Sequence, residues 1–356
     1  MNKIVLVVIA SISSLTLLAK ENVGTSSSDS QTSLARVAAD CTPSQAMTDL
    51  NINNVRTTIM GGGDMWWNLS DARYEIPKNS NKHSMFAGAL WIAGIDAGEQ
   101  LKAAAMTYRQ SGNDFWTGPL DENGDISAET CDNYDKHFSI TRQEVDEFIA
   151  WFNDNSAYPD YTIPTSITNW PGNGIDGDYQ FLAPYYDAND DGEYNPNDGD
   201  YPKYDIDGDL DCNDDDLIYG DQTLYWVFND KGNIHSETSA DPIGLEIRAQ
   251  AFAFATNDEI NNMTFYNYKI INKATIQLND TYFGQWVDPD LGKYDDDYVG
   301  CDVARGFGYC YNGDDNDEGA SGYGTTPPAI GVDFFQGPLA DPDDGIDNDR
   351  DSIIDE

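Results

Sequence analysis

The chain has 356 residues, of which 40% are hydrophobic, and a formal net charge of −44 at pH 7. This length and apolar content allow one large or two smaller domains with a packed core, so the chain is not a disordered acidic tail. Its negative charge repels nucleic acid and anionic membranes, and we exclude both as partners.

The first residues predict export. Residues 1–3 form a short basic segment, and residues 4–18 are almost wholly apolar or small, with no charge before Lys20. The apolar run is shorter than a bilayer crossing needs and is typical of a signal peptide, which we assign to residues 1–20. An uncleaved membrane anchor is the alternative. We therefore expect a secreted protein, extracellular or on the cell surface, with no membrane span in the mature chain.

Residues 21–45 are rich in Ser, Thr and small polar side chains and predict a flexible linker. The acidic domain that follows is assigned to residues 46–338, and residues 339–356 begin a further acidic repeat that is truncated. Residues 157–222 contain many Pro, Gly, Asp and Tyr with little periodicity, which predicts a long irregular segment. A division of the domain into two subdomains, if present, falls within this segment.

Strands are predicted where short apolar or alternating runs are bounded by turn residues. They are expected over residues 51–59, 87–95, 101–107, 223–228, 245–256, 263–272 and 280–287. The second and third of these are joined by Asp96-Ala97-Gly98 and should form a hairpin. The pattern predicts a mainly β fold, an antiparallel β-sandwich of jelly-roll type with long acidic loops.

One short helix is predicted over about residues 141–153. Thr141 and Glu144 have the spacing of a capping box, in which each residue satisfies a free N–H group of the other. The apolar residues that follow at helical spacing should pack on the sheet: Val145, Phe148, Ile149 and Phe152.

The five cysteines predict at least one disulfide, because thiols in exported proteins are usually oxidised. No two of them form a C-x-x-C pair, and the connectivity cannot be deduced from the sequence. Cys301 and Cys310 are close enough in the chain to close a short hairpin.

The strongest chemical signal is the segment DANDDGEYNPND at residues 187–198. Oxygen-bearing side chains stand at alternate positions, and Gly192 stands at the sixth, where the chain must turn sharply around a bound cation. The predicted Ca²⁺ ligands are Asp187, Asn189, Asp191, the backbone of Glu193, and Asp198. The flanking prolines oppose the helices of an EF-hand, so we expect a structural calcium loop. A solvated acidic turn is the alternative.

Three other acidic clusters are weaker candidates for calcium binding. Two lie within the domain and one in the last residues, where the spacing resembles a thrombospondin type 3 repeat. Their predicted ligands are Asp205, Asp207 and Asp209; Asp288 and Asp290; and Asp347, Asp349, Asp351 and Asp355. Clustered carboxylates repel each other unless a cation lies between them, which is why Ca²⁺ is the expected cofactor.

Several stretches resemble the N-terminal region of large secreted Bacteroidota surface proteins of the type IX secretion kind. They are NNVRTTIMGGGDMWW at 53–67, KHSMFAGALWIAGIDAG at 82–98, AAMTYRQSGNDFWTGPL at 104–120, YGDQTLYWVFNDKGNIHSET at 219–238 and WVDPDLGKYDDDYVGCD at 286–302. The resemblance covers most of residues 50–356. It implies delivery through a C-terminal sorting domain and does not specify an activity.

Two function classes are compatible with these features. We favour a secreted, calcium-stabilised structural or adhesive surface module, whose partners would be calcium ions, cell-surface polysaccharide or other surface proteins. The alternative is a secreted hydrolase of the glycosidase class, which needs two suitably spaced carboxylates that cannot be chosen among 63 acidic residues.

The sequence contains no established catalytic motif. His83, His137 and His235 are far apart and include no HExxH, and no GxSxG elbow occurs. His235 is expected to be a turn residue. Trp66, Trp67 and Trp116 could stack on sugar rings, but packing in the core is the more usual role of such side chains. The sequence therefore favours a protein without enzymatic activity.

Overall fold

The structure, a computed structural model, describes residues 39–175, 177, 179–204 and 217–336, together with the backbone of residues 5–11. Its strands are β1 (Val5–Ser11), β2 (Met47–Leu50), β3 (Arg56–Met60), β4 (Asp64–Met65), β5 (Tyr74–Glu75), β6 (His83–Met85), β7 (Ala87–Asp96), β8 (Leu101–Ala104), β9 (Trp116–Thr117), β10 (Phe138–Thr141), β11 (Tyr185–Tyr186), β12 (Tyr201–Pro202), β13 (Gln222–Asn229), β14 (Leu245–Ala253), β15 (Thr264–Asn272), β16 (Leu278–Asp288), β17 (Asp297–Asp302), β18 (Phe307–Asn312), β19 (Asn316–Asp317), β20 (Gly324–Thr325) and β21 (Ala329–Gln336). Its α-helices are α1 (Ala128–Asn133), α2 (Arg142–Asn153) and α3 (Thr165–Thr168). The fold is mainly β, as predicted.

The first large sheet has nine strands in the order β10-β13-β14-β15-β1-β21-β18-β17, with β9 pairing with β13. Its ladders are antiparallel except for those of β1, which runs parallel to both β15 and β21. The residues of β1 fall in the predicted signal peptide. Cleavage during export remains a prediction, and in the cleaved protein the facing edges of β15 and β21 would lose this strand.

The second large sheet has eight strands in the order β16-β7-β4-β3-β5-β6, with β2 on β3 and β8 on β7. The predicted hairpin is confirmed by the antiparallel pairing of β7 with β8. At its turn, the Asp96 carboxylate accepts N–H bonds from Gly98 (2.8 Å) and Gln100 (2.9 Å). Asp at such a turn satisfies backbone groups that have no partner strand.

The two large sheets pack face to face around a common apolar core, which we call the sandwich core. It includes Ile59 and Ile92 from the second sheet and Trp226, Ile247 and Tyr268 from the first, all of which are buried. Alternate residues of each strand face this core, as the alternating sequence of β14 predicts. The antiparallel β-sandwich expected from the sequence is therefore present.

A second layer covers the other face of the first sheet, and we call it the aromatic layer. It is formed by α2, α3 and the irregular chain around β11 and β12. Strand β13 belongs to both layers, because Trp226 faces the sandwich core while Tyr225 and Val227 face the aromatic layer. Burial on both faces explains why residues 223–228 read as a continuous apolar run.

Helix α2 confirms the predicted capping box. Thr141 accepts an N–H bond from Glu144, and the Glu144 carboxylate accepts one from the Thr141 backbone. Val145 and Phe148 are buried, but the prediction that Phe152 packs in the core is wrong. Its side chain is 43% exposed and stacks on Phe148 at the rim of the layer.

The sequence predicted one helix where the described chain has three α-helices. Helices α1 and α3 span 6 and 4 residues, which is too short for a recognisable apolar period. Of the predicted strand over 51–59, only the second half is a strand, because residues 51–55 form a break between β2 and β3. Asn53 causes this break, since its side chain accepts an N–H bond from Val55 (2.9 Å) and donates to the Met263 carbonyl (2.8 Å).

The predicted disulfide is present and joins Cys41 to Cys131 on α1. Cys301 and Cys310 are both free, so the hairpin closure considered for them is wrong. They lie on the antiparallel strands β17 and β18, where Cys301 is opposite Gly308 and Cys310 is opposite Val299. The strand register therefore keeps the two thiols out of cross-strand pairing.

Candidate functional site

The predicted calcium loop lies between β11 and β12, which form a short antiparallel pair. Asp187 accepts N–H bonds from Gly192 (2.8 Å) and Asp191 (3.3 Å), and Asp191 accepts one from Glu193 (2.8 Å). Asn189 also accepts from the Asp191 N–H at 3.1 Å. Gly192 has a φ of +79°, the left-handed conformation that the sixth position of such a loop requires. The side-chain oxygens of Asp187, Asn189 and Asp191 therefore accept the loop's own N–H groups.

The last predicted ligand, Asp198, lies on the outside of the coil. Its side chain is exposed and accepts a bond from the Asn195 amide at 2.6 Å. Two residues later, Asp200 is fully buried and accepts N–H bonds from Ala188 (2.9 Å) and Asn195 (2.8 Å). Burial raises the pKa of Asp200 above its usual value. Asp200, which is not among the predicted ligands, thus holds the two ends of the loop together.

The loop is attached to the aromatic layer at two points. The Asn173 amide donates to the Gly192 carbonyl at 3.0 Å and accepts the N–H of Tyr194. At the other end, Gly199 has a φ of +107° and touches the ring of Phe152, which a Cβ atom would approach within 2.7 Å. Gly199 therefore allows the chain to turn towards Asp200 beneath Phe152.

The side-chain oxygens of the loop are held by its own N–H groups. Among the described residues, no three Asp, Glu, His or Cys side chains are grouped as a metal site would require. Ionised carboxylates keep free lone pairs beside one accepted N–H bond, so the coil has oxygen donors of the kind that Ca²⁺ prefers. The donor chemistry fits a hard cation.

The candidate site at Asp288 and Asp290 lies where β16 ends. Asp288 accepts a bond from the Tyr108 hydroxyl at 2.6 Å. Burial and, to a lesser extent, the nearby Asp288 carboxylate raise the pKa of Asp290 to about 6. Asp297 accepts the Leu291 N–H at 2.9 Å and also has a pKa raised by burial to about 6. These carboxyl groups are poorly solvated, which is the condition under which a cation stabilises them most.

The remaining predicted ligands lie outside the described residues. They are Asp205, Asp207, Asp209, Asp347, Asp349, Asp351 and Asp355. Calcium binding at these positions stays a prediction from spacing alone.

His235, expected only to occupy a turn, is the centre of a buried charge cluster. Its two ring nitrogens face the carbonyl oxygens of Ala103 (2.8 Å) and Asp230 (2.7 Å), so both bonds form only when the ring is doubly protonated. The carboxylates of Asp114 and Asp230 lie 3.8 Å from the two ring nitrogens. Nothing local in the sequence signalled this arrangement, because the partners are far apart in the chain.

The carboxylates of Asp230 and Asp114, beside His235, also accept hydrogen bonds from neighbouring loops. Asp230 accepts N–H bonds from Ile243, Gly244 and Leu245, and Asp114 accepts the Thr238 hydroxyl at 2.7 Å. Burial raises the pKa of Asp230, and these bonds oppose the shift. A cavity of 780 Å³ adjoins this cluster, but every carboxylate oxygen of Asp230 and Asp114 is already engaged. The cluster therefore has a structural role, in which its side chains hold together the backbone of several loops.

The tryptophans considered for sugar stacking are packed inside the protein. Trp66, Trp67 and Trp116 are at most 2% exposed. Trp66 donates to the Tyr266 hydroxyl at 2.7 Å, and Trp67 donates to Asp64 at 3.1 Å. Core packing, the role favoured by the sequence, is confirmed, and these three rings are not available to a ligand.

No protein-family model, curated protein or solved structure matches this chain. Within the described part of the chain, no helix has the length and apolar character that crossing a membrane demands.

Proposed function

We propose that this chain is a secreted, calcium-stabilised structural or adhesive module that acts on the cell surface or outside the cell. The observation that carries the proposal is the loop from Asp187 to Asp200, in which oxygen side chains at the spacing of a calcium loop accept the loop's own N–H groups. Export and the type IX route are supported by the apolar residues 4–18 and by the sequence resemblance.

A cation would have a clear energetic role in this loop. The chain carries a formal net charge of −44, and the carboxylates of Asp187, Asp191 and Asp200 lie within one short segment. A bound divalent ion replaces their mutual repulsion by attraction. At a calcium concentration 100 times the dissociation constant, one site would stabilise the fold by about 2.7 kcal/mol. Extracellular modules commonly bind calcium only in the ~10⁻⁴–10⁻³ M range, since calcium is abundant outside cells.

The proposal is tested by melting and limited proteolysis in calcium, in magnesium and in excess chelator. We expect the chelator to lower the melting temperature and to open cleavage sites within residues 185–204. Magnesium should restore little, because it is smaller and demands a more regular geometry.

Paired variants assign the effect to the loop. Asp187→Ala combined with Asp191→Ala should reproduce much of the chelator effect in calcium. The matched control combines Asp146→Ala with Asp160→Ala, which removes two exposed carboxylates outside the loop. Identical melting and proteolysis in calcium and in chelator would refute the proposal and would identify the loop as a solvated turn.

A further inference from the structure

The outward face of strands β17 and β18 carries a row of aromatic side chains, which we call the aromatic platform. Phe307, Tyr309 and Tyr311 alternate along β18, and Tyr298 lies opposite Tyr311 on β17. Tyr298 is 60% exposed and Tyr311 is 44% exposed. Large exposed aromatic patches of this kind usually mark an interaction site.

The platform lies on the solvent side of the sheet. Between its residues along β18, Cys310 points the other way and is buried in the sandwich core. On the neighbouring strand β21, Ile330 and Val332 are buried in the same core, whereas Gly331 is opposite Tyr309 on the outward side. The aromatic rings of the platform therefore lie outside the sandwich core, which is filled on this side by Cys310, Ile330 and Val332.

Glycines let the rings lie flat on the sheet. Gly300 is directly opposite Tyr309, and a Cβ atom there would come within 2.5 Å of the Tyr309 ring. A Cβ at Gly331 would come within 2.2 Å of the Phe307 ring, and one at Gly313 within 2.6 Å of Tyr298. Three of the four rings, those of Phe307, Tyr309 and Tyr298, thus lie against a glycine backbone.

Neighbouring rings along this row also pack against one another with nearly parallel planes. Phe307 and Tyr309 have centroids 5.9 Å apart and planes inclined by 24°, and Tyr298 and Tyr311 are 6.0 Å apart and inclined by 25°. Tyr309 and Tyr311 connect these pairs, with centroids 6.1 Å apart. The four side chains therefore form one row of mutually packed aromatic rings at the surface.

The charges around the platform restrict the chemistry of that ligand. Asp302 is the last residue of β17, Asp314 lies just after the end of β18, and Asp333 lies on β21. The nearby cation Arg305 is already paired with Asp302 at 2.7 Å. An anionic ligand such as nucleic acid or a sulfated glycan would be repelled here. Carboxylates and tyrosine hydroxyls instead accept hydrogen bonds from neutral hydroxyl groups.

We propose that the aromatic platform binds a neutral polysaccharide chain by stacking of its pyranose rings on Tyr298, Tyr309 and Tyr311. The electron-rich ring faces attract the C–H bonds on the flat side of a sugar, and the surrounding carboxylates bind its hydroxyl groups. This inference rests on the adhesive role proposed above and supplies its partner. It does not use the calcium loop, whose residues lie elsewhere in the fold.

The test measures retardation of the full chain in native gels that contain hydroxyethyl cellulose or galactomannan, with polygalacturonate and heparin as anionic comparators. We expect retardation by at least one neutral polymer and by neither anionic one. Tyr309→Ala should weaken the interaction at least tenfold, whereas Tyr309→Phe should retain it because the ring face is kept. Gly300→Ala should also weaken it, since the new methyl group displaces the Tyr309 ring.

The matched control is Tyr282→Ala, which removes a 74% exposed tyrosine from β16 in the other large sheet and should change nothing. If Tyr309→Ala does not fold, Gly300→Ala and Tyr298→Ala decide the result. The proposal is overturned if neither neutral polymer retards the chain, or if the platform variants bind as well as wild type. Self-association that Tyr309→Ala abolishes, without glycan binding, would assign the face to a second copy.

Repeating the gels in excess chelator separates this proposal from the calcium-dependent function. Binding that persists in chelator, while melting does not change with calcium, would support the platform and refute the calcium loop. Calcium-dependent melting without glycan retardation would give the opposite result.

Discussion

The sandwich core and the aromatic layer lie on opposite faces of the same sheet, but they are held together differently. In the sandwich core the backbone groups are paired in ladders, as along β13, β14 and β15. In the aromatic layer the chain is irregular, and side chains supply the missing partners. Tyr194 donates to the Ile167 carbonyl at 2.7 Å, and Trp170 donates to the Pro184 carbonyl at 3.0 Å.

This difference has a physical cause and a consequence. Buried backbone groups need hydrogen-bond partners, and a segment without a neighbouring strand must obtain them from side chains or from an ion. Each such contact holds a short piece of chain, so its loss opens that piece alone. The calcium loop is attached to this layer and should be the first region to open, while the sheets remain folded.

The largest expected effect comes from Phe148, which is fully buried in the aromatic layer and packs against Tyr201 at 6.2 Å. Phe148→Ala should reduce the free energy of unfolding by about 3–5 kcal/mol, because it leaves a cavity beneath α2. Denaturant melts followed by tryptophan fluorescence measure this loss. The control, Phe152→Ala, should lose less than half as much, since Phe152 is 43% exposed. A loss below about 1 kcal/mol for Phe148→Ala would show that the layer is peripheral.

The second largest effect is a pH dependence of stability that comes from His137, on the sandwich side of the first sheet. Burial lowers the pKa of His137 to about 4, and its ring packs against Trp226 at 5.4 Å. In the unfolded chain His137 is protonated near pH 6.5, whereas in the folded chain it stays neutral until about pH 4. The contribution of His137 to stability is therefore fully present above pH 6.5 and is lost as the pH falls towards 4. The loss attributable to His137 should reach up to about 3 kcal/mol.

His137→Gln isolates this dependence in melts between pH 4.5 and 7.5. Asp290 and Asp297 have pKa values raised to about 6, so their contribution to stability increases as the pH falls, opposite to that of His137. Both residues are present in the wild type and in the variant. The difference between the two proteins should therefore widen as the pH falls, in calcium and in chelator alike. Parallel pH profiles would contradict the burial of a neutral His137.

The smallest effect should come from the hydroxyl of Tyr194. Tyr194→Phe leaves the buried carbonyl of Ile167 without this donor and should cost about 1–2 kcal/mol. Hydrogen exchange should locate the change in α3 and in the calcium loop, with the strands of the sandwich unaffected. Tyr186→Phe is the control, since Tyr186 is 46% exposed. Equal exchange in both variants would mean that the hydroxyl does not hold the layer.

Local features were predictable from the sequence because their causes lie within a few residues. The hairpin of β7 and β8 follows from two apolar runs and an Asp-containing turn. The start of α2 follows from Thr141 and Glu144, and the coil of the acidic loop follows from oxygen side chains at alternate positions around Gly192. Each of these depends on backbone groups close in the chain, so the residue pattern alone specifies them.

Other features were decided only by the tertiary structure. Asp200 rather than Asp198 closes the loop, because Gly199 turns beneath a ring from α2. His235 is buried beside Asp114 and Asp230 because distant segments of the chain bring these two carboxylates to it. The platform exists because strand register places Gly300 beneath Tyr309. The sequence determined which segments are strands, helix and turn, whereas packing between distant segments decided which side chains are buried, charged or exposed.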